Sequence, residues 1–408
     1  MSRHRSDKWT MRRQAASGWG LRRIARWPIV VLALVVLVVL GGLAWMWVGG
    51  ELNARNEAQA HACDDGPMAV QVAAAPSIAV ATRDAAQTYN AQQVVVADHC
   101  VQIQVSSVDP AQALAGLTGT WDPTKFGPKP QAWIADSSLW TNQFLAQHGA
   151  LVADVVQSVA SSPIVLAMPP DAAKAMSATA QLSWSGLPGL LASATGWTSL
   201  GEPTWGAFTV DMPNPATNPA SELALEAIVD PGNTPLTADA LASGPVAGAI
   251  STVATKQPAT LPSDTLTALI ALAKSPGLQG APYSAVPVPE VALYERNLGT
   301  DGVAKPDNVL DEVRLTGTGP GLDYPYVPLA GDWVSSAQGQ AAQMFRAFLR
   351  SPAEQRQFAA AGLRTTSGTT RPEPSPGMDW GTVHTAALPT DPDTSQRLVT
   401  AWTGAQAS

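Results

Sequence analysis

Residues 68–90 read MAVQVAAAPSIAVATRDAAQTYN. The first seven, MAVQVAA, are short and apolar, a pattern that predicts a strand. Pro76 and Ser77 follow almost at once. Proline pre-sets the φ of a first helical turn and serine suits a helix start, so a helix is expected from there to about Asn90. Further on, VQIQV (101–105) alternates and predicts a second strand. Residues 132–135 predict a third, followed by Asp136-Ser137-Ser138 and another helix. The order strand, helix, strand, connection, strand, helix implies parallel pairing in an α/β layer.

Working outward, PIVLAM (163–168) is a continuous apolar run between prolines, as expected of a buried strand. FTVD (208–211) predicts another strand. A loop rich in proline and asparagine follows, and then an amphipathic helix over 221–228. Residues 235–280 read as helices with proline-rich joints. VPVPEVAL (286–293) and DYPYVPL (323–329) read as extended, and 338–361 as one or two helices. The last forty or so positions, rich in Thr, Pro and Gly, predict a loosely draped tail, 366–408.

The chain has 408 residues, 46% apolar and 14% charged, which excludes a largely disordered chain. Its net charge of −8 is unevenly spread. Residues 1–28 carry eight Lys/Arg and one acid, so the leader holds +7 and the remainder −15. An acidic bulk argues against nucleic acid as a partner. Residues 29–48 are twenty positions without a charge, enough to span the roughly 30 Å of a bilayer core as a helix. Trp27, Trp45 and Trp47 sit near the ends of that run, where indoles favour the interface. The basic leader keeps the N-terminus cytoplasmic, so a single-pass cell-membrane protein with its bulk outside is expected. A cleaved signal peptide is the alternative. Its apolar core usually runs about 7–15 residues, shorter than this one.

Outside the membrane, Cys63 and Cys100 are expected to form a disulfide. A Cys2His2 metal site with His61 and His99 is the alternative, although the ligand spacing matches no familiar finger. No H-E-x-x-H, G-x-S-x-G or G-x-x-x-x-G-K-[ST] motif occurs, so no catalytic residue, no cofactor and no enzyme are expected.

Seven segments in order carry a resemblance: MAVQVAAAPSIAVATRDAAQTYN, QAWIADSSLW, SSPIVLAMP, FTVDMPNPATNPASELAL, AVPVPEVALYERN, LDYPYVPL and AAQMFRAFLRSPAEQRQFAAAGLR. Together they resemble the extracellular solute-binding proteins of the periplasmic-binding-protein type II fold. The similarity is greatest to the molybdate-binding-like group of actinobacterial membrane proteins, and it covers about 66–365. Many of that group carry a von Willebrand factor A domain after the binding domain. Here 366–408 is too short for one, and the D-x-S-x-S motif is absent. The resemblance implies an α/β two-lobed fold after one N-terminal transmembrane helix. Lobe one is expected at 66–161 plus 290–365 and lobe two at 165–283, with crossovers near 162–168 and 285–293.

Ligands of open α/β sheets bind beyond the carboxyl ends of strands, where helix N-termini present free N–H groups. That points to Ser77, to Ser137 and Ser138, and to Asn218 and Ser221, with Tyr283 and Ser284 closing the cleft. Serine at a helix start is also the commonest plain cap. Asp136 and Asp211 oppose an anion, which leaves oxyanion, neutral and cationic solutes open. Trp133, Trp140 and Trp205 are candidates to stack on a ligand, or to pack the core. The function expected is a membrane-anchored extracellular substrate-binding protein that closes on a small solute for transport or sensing, with an ABC transporter or envelope protein as partner. A cell-envelope interaction scaffold without a small ligand is the alternative.

Overall fold

The computed structural model describes residues 63–179, 182–229, 236–258, 262–365, 371–382 and 391–407. The leader, the 29–48 span and His61 lie outside the described residues. Among the described residues no helix is long and apolar enough to cross a membrane.

The first sheet is built from β1 (Pro67–Ala74), β2 (Val95–Val96), β3 (His99–Ser107), β4 (Ala132–Ile134), β5 (Gln157–Ser158) and β10 (Pro325–Pro328). Its order is β2-β3-β1-β4-β10-β5. As expected, β1 runs parallel to β3 and to β4, with Val72 opposite Val105 on one side and Ala132 on the other. The helix Pro76–Ala91 follows β1 and buries Ile78, Ala79, Thr82, Ala85, Ala86 and Tyr89 on one face. The connection after β3 contains the Pro110–Thr118 helix, capped by Asp109.

The second sheet holds β6 (Ser162–Met168), β7 (Val286–Pro289) and β8 (Asp311–Val313) in the order β7-β6-β8, with β9 (Gly321–Leu322) also paired to β6. All three partners are antiparallel to β6, which is buried along its whole length. The chain thus passes from the first sheet to the second between Ser158 and Ser162, and back between Leu322 and Pro325. Residues 311–322 therefore lie with the second sheet.

Four local expectations are corrected. FTVD is not a strand: it makes a single bridge, Val210 to Ala285, because the prolines that follow cannot donate to a ladder. VPVPEVAL is extended only to Pro289, and Glu290–Leu298 is a helix with an acid in the first turn, where the helix dipole favours it. Pro219–Val229 is buried on every side rather than amphipathic. Within the C-terminal stretch, Pro392–Gln406 is a capped helix whose Trp402 is 1% exposed.

Cys63 and Cys100 are disulfide-bonded, 37 positions apart. In the chain-entropy picture such a loop contributes about 3–4 kcal/mol. The bond consumes both thiols. It thereby removes the Cys2His2 alternative, since metal coordination needs thiolates. The His99 ring contacts the Asp65 carbonyl at 3.2 Å.

Candidate functional site

The carboxyl ends of β1, β3 and β4 open onto a cavity of about 380 Å³. Ser77 comes from the turn after β1, Asp109 from the turn after β3, and Asp136 and Trp140 from the segment after β4. The opposite wall is Asn218 and Pro219 at the head of the Pro219–Val229 helix, Asp264 and Thr265 at the head of Thr265–Ala273, and Pro289 and Leu322 from the second sheet. Residues associated with both sheets therefore converge on one space, at the position that open α/β sheets use for ligands.

Ser77 is held by the Tyr324 hydroxyl, which donates to its Oγ at 3.1 Å. Tyr324 is fully buried and sits at φ +40, a left-handed backbone that bulky residues seldom adopt. Its own N–H donates to the Asp136 carbonyl at 3.2 Å, so one tyrosine braces both Ser77 and Asp136. The Asp136 carboxyl is raised to about 7 by burial, with the charge of Asp109 adding. Its Oδ1 is buried and has no hydrogen-bond partner. The buried Trp140 indole N–H faces the same carboxyl and partly offsets that rise.

Ser137 and Ser138 do not line the cavity. The Ser137 side chain is fully buried and accepts the Leu139 N–H at 3.2 Å, a plain helix cap. Ser138 is anchored to Asp323: its N–H donates to Oδ1 at 2.7 Å and its hydroxyl donates to Oδ2. Asn218 faces the cavity, accepts the Ser221 N–H at 3.1 Å, and donates to Thr265 Oγ1 at 2.9 Å. The Ser221 hydroxyl is buried inside the helix packing with no partner.

Tyr283 is 3% exposed, and its hydroxyl donates to the Ala268 carbonyl at 2.6 Å, so it ties the Thr265–Ala273 helix down instead of facing solvent. Ser284 accepts the Trp197 indole N–H at 3.1 Å and the Thr209 N–H at 3.2 Å. Of the tryptophans, Trp133 is wholly buried edge-on to Phe144, and Trp205 packs edge-on to Trp197. Trp140 alone of the three reaches the cavity wall. Thus Ser77, Asn218, Asp136 and Trp140 are brought together. Asp109 and Asp264 join them unforeseen. Their signal was local: each caps a helix, accepting Gln112 N–H and Thr267 N–H respectively.

Asp211 lies elsewhere in the core, fully buried, with neither carboxylate oxygen hydrogen-bonded. Burial raises it to about 7. Its folded value exceeds the roughly 3.9 of an unfolded chain, so the folded state holds the proton more tightly and stability falls as pH rises from about 4 to about 7. Asp211→Asn should remove that loss. The unfolding free energy from urea titration should match wild type at pH 4 and exceed it at pH 8 by about 1–3 kcal/mol. A variant weaker than wild type at pH 8 would mean that the carboxylate is held by a counter-charge.

Three comparisons bear on this arrangement. The family model described as bacterial extracellular solute-binding protein matches residues 70–364. An uncharacterized protein of Mycobacterium tuberculosis strain CDC 1551, MT1884, is 32% identical over 361 residues, covering 88% of this chain and 51% of that protein. The chain therefore spans about half the length of the curated relatives it matches. Among solved structures, iron-bound HitA from Pseudomonas aeruginosa aligns with a TM-score of 0.55 at 12% identity, over 83% of this chain and 99% of that one. The ferric binding protein from Campylobacter jejuni gives 0.54 at 10% identity, over 82% and 99%. At such identities the likeness is one of fold, an α/β two-lobed periplasmic-binding-protein architecture.

Proposed function

Because the chain belongs to the bacterial extracellular solute-binding proteins, a family without catalytic activity that binds small solutes for ABC transporters, we propose that it is a membrane-anchored extracellular receptor that closes a two-lobed cleft on one small solute. The observation that carries this reading is the cavity of about 380 Å³ at the strand ends, walled by residues from both sheets. Ser77, Asn218, Asp136 and Trp140 are the residues that reach the solute, whereas Ser137, Ser138, Ser221 and Tyr283 hold the walls. Closure is a hinge movement of one lobe against the other, with the bound solute contributing the contacts that favour the closed form. The 29–48 segment anchors the receptor with its cleft outside the cell, where it hands solute to an ABC transporter or reports its presence to an envelope protein.

Thermal unfolding of the full chain in detergent tests this, against molybdate, sulfate, phosphate, sugars, amino acids and amines. A solute at 100 times its dissociation constant adds about 2.7 kcal/mol and raises Tm by several degrees. One such shift supports the receptor. A flat panel leaves the interaction-scaffold reading in its place.

A further inference from the structure

Resting on the two-lobed receptor reading, we propose that the C-terminal helix Pro392–Gln406 is a strap between the lobes: seated on the second lobe, it grips the first and holds the cleft in the arrangement described above.

Two lobes joined by two crossovers open about them as a hinge. This chain makes a third passage. After the second crossover it runs through the helices Ser336–Leu349 and Pro352–Ala360, both packed on Pro76–Ala91 of the first lobe. Then it returns to the second. The Gly377 carbonyl accepts the Glu312 N–H of β8 at 2.7 Å, and the Pro376 carbonyl accepts Asn297 Nδ2 at 3.0 Å. Trp380 stands edge-on to Tyr294, with ring centres 5.5 Å apart. Asn297 and Tyr294 lie on the helix that leaves β7, so 376–380 belongs with the second sheet.

The helix that follows has a footing on each lobe. On the second lobe it packs against Gly244–Thr255 and Ala238–Leu241. Gly244–Thr255 in turn packs on Pro219–Val229, which rests on β6, β7 and β9. The Ser395 hydroxyl donates to the Glu222 carboxyl of that same helix. On the first lobe the strap packs against Ser138–His148, which leaves β4 and itself rests on Pro110–Thr118 and β10. Both footings wall the cleft. Ser138–His148 carries Trp140 to the cavity, and Glu222 donates its N–H to the carbonyl of Asn218, another wall residue, at 3.0 Å.

A contact made in one arrangement of two lobes and lost in another favours the first by its own free energy. Rotation about the crossovers either carries Ser138–His148 away from the strap or pulls the strap off Gly244–Thr255. Leu398, Val399 and Trp402 are buried in this packing, so separation exposes apolar surface. Opening is therefore less favourable than it would be without the helix.

Double electron–electron resonance of the full chain in detergent, without solute, tests this. Spin labels go on Gln87→Cys in the first lobe and Lys274→Cys in the second, both exposed, while the two native cysteines are already bridged. The otherwise unaltered chain should give one narrow distance distribution. Trp402→Ala should broaden it and add a second, displaced population, with faster hydrogen exchange over 392–406. Exchange that rises while the distances stay unchanged overturns the strap, because the freed helix then held nothing. Where exchange shows the helix still docked, deletion of 391–408 decides: unchanged distances again overturn the strap. Loss of a cooperative thermal transition in the deletion overturns it too, since the helix is then part of the core. A distribution already broad in the chain that keeps the helix does the same. None of these outcomes bears on solute binding, so the strap and the receptor fail separately.

Discussion

Arg364→Met should destabilise the protein by about 3–5 kcal/mol, the cost of leaving one partner of a buried ion pair uncompensated. Arg364 grips Glu290 with two parallel bonds, Nε to Oε2 and Nη2 to Oε1, both at 2.6 Å. Glu290 is fully buried and Arg364 is 7% exposed. The pair also fastens the places where chain segments meet. Backbone bonds join Arg364 to Ser161, just before β6, in both directions at 2.8 Å. Glu290 opens the helix that leaves β7, and Arg364 Nη1 donates to the Gly381 carbonyl at 2.9 Å. Glu312 stands close by, raised to about 7 by burial and by the charge of Glu290. Without the arginine, two carboxyl groups share one buried pocket with less positive charge. The double variant Glu290→Gln/Arg364→Met should recover more than half of the loss, because an uncharged pair leaves no lone ion. Urea midpoints at constant m-value read both effects. A single variant within 1 kcal/mol of wild type would show that the pair's desolvation cost already cancels its attraction.

Trp402→Ala should cost about 3–5 kcal/mol, as for other large-to-small changes of a buried aromatic. The Pro392–Gln406 helix buries Leu398, Val399 and Trp402 against the rest of the molecule. It packs against Gly244–Thr255, Ala238–Leu241 and Ser138–His148. Asp391 caps it, accepting the Thr394 hydroxyl at 2.6 Å, and the Ser395 hydroxyl donates to the buried carboxyl of Glu222. Deleting the indole removes the largest side chain of that contact. Hydrogen exchange over 392–406 should rise toward the unfolded rate while β1 and β3 stay protected. Unchanged protection of 392–406 would refute a role for Trp402 in docking the helix.

That helix shows what was legible in the sequence and what was not. Its start was written in Asp391-Pro392, a cap followed by a proline at the first helical position, and its face in Leu398, Val399 and Trp402. The surrounding Thr, Pro and Gly hid both. The long elements were readable because their burial is simple: β1, β3 and β6 are valine- and isoleucine-bearing strands, and Pro76–Ala91 has one apolar face. The two- and three-residue strands β5, β8 and β9 carry no period to detect, because their pairing is set by neighbours distant in sequence, and β2 is only two residues across a tight turn from β3. At the site, Ser77 followed from a helix start after a strand, and Asn218 from a helix start alone, since the segment before it makes a single bridge. Asp109 and Asp264 bear the same capping signal, each just ahead of a helix. Which capping residues face the cavity and which are buried depends on the opposite wall, and no local pattern contains that wall.

The insertion of β10 between β4 and β5 has a consequence for synthesis. Ser138, just after β4, and Asp323, just before β10, are joined by hydrogen bonds across 185 positions. At ribosomal rates of about 5–20 residues per second, that separation is roughly 10–40 s of translation. During that interval β4 is an open edge with nothing to pair on one flank, the kind of surface that recruits the wrong strand. The nascent N-terminal half is therefore the stage at which a chaperone holding extended chain does most to raise the yield of folded protein.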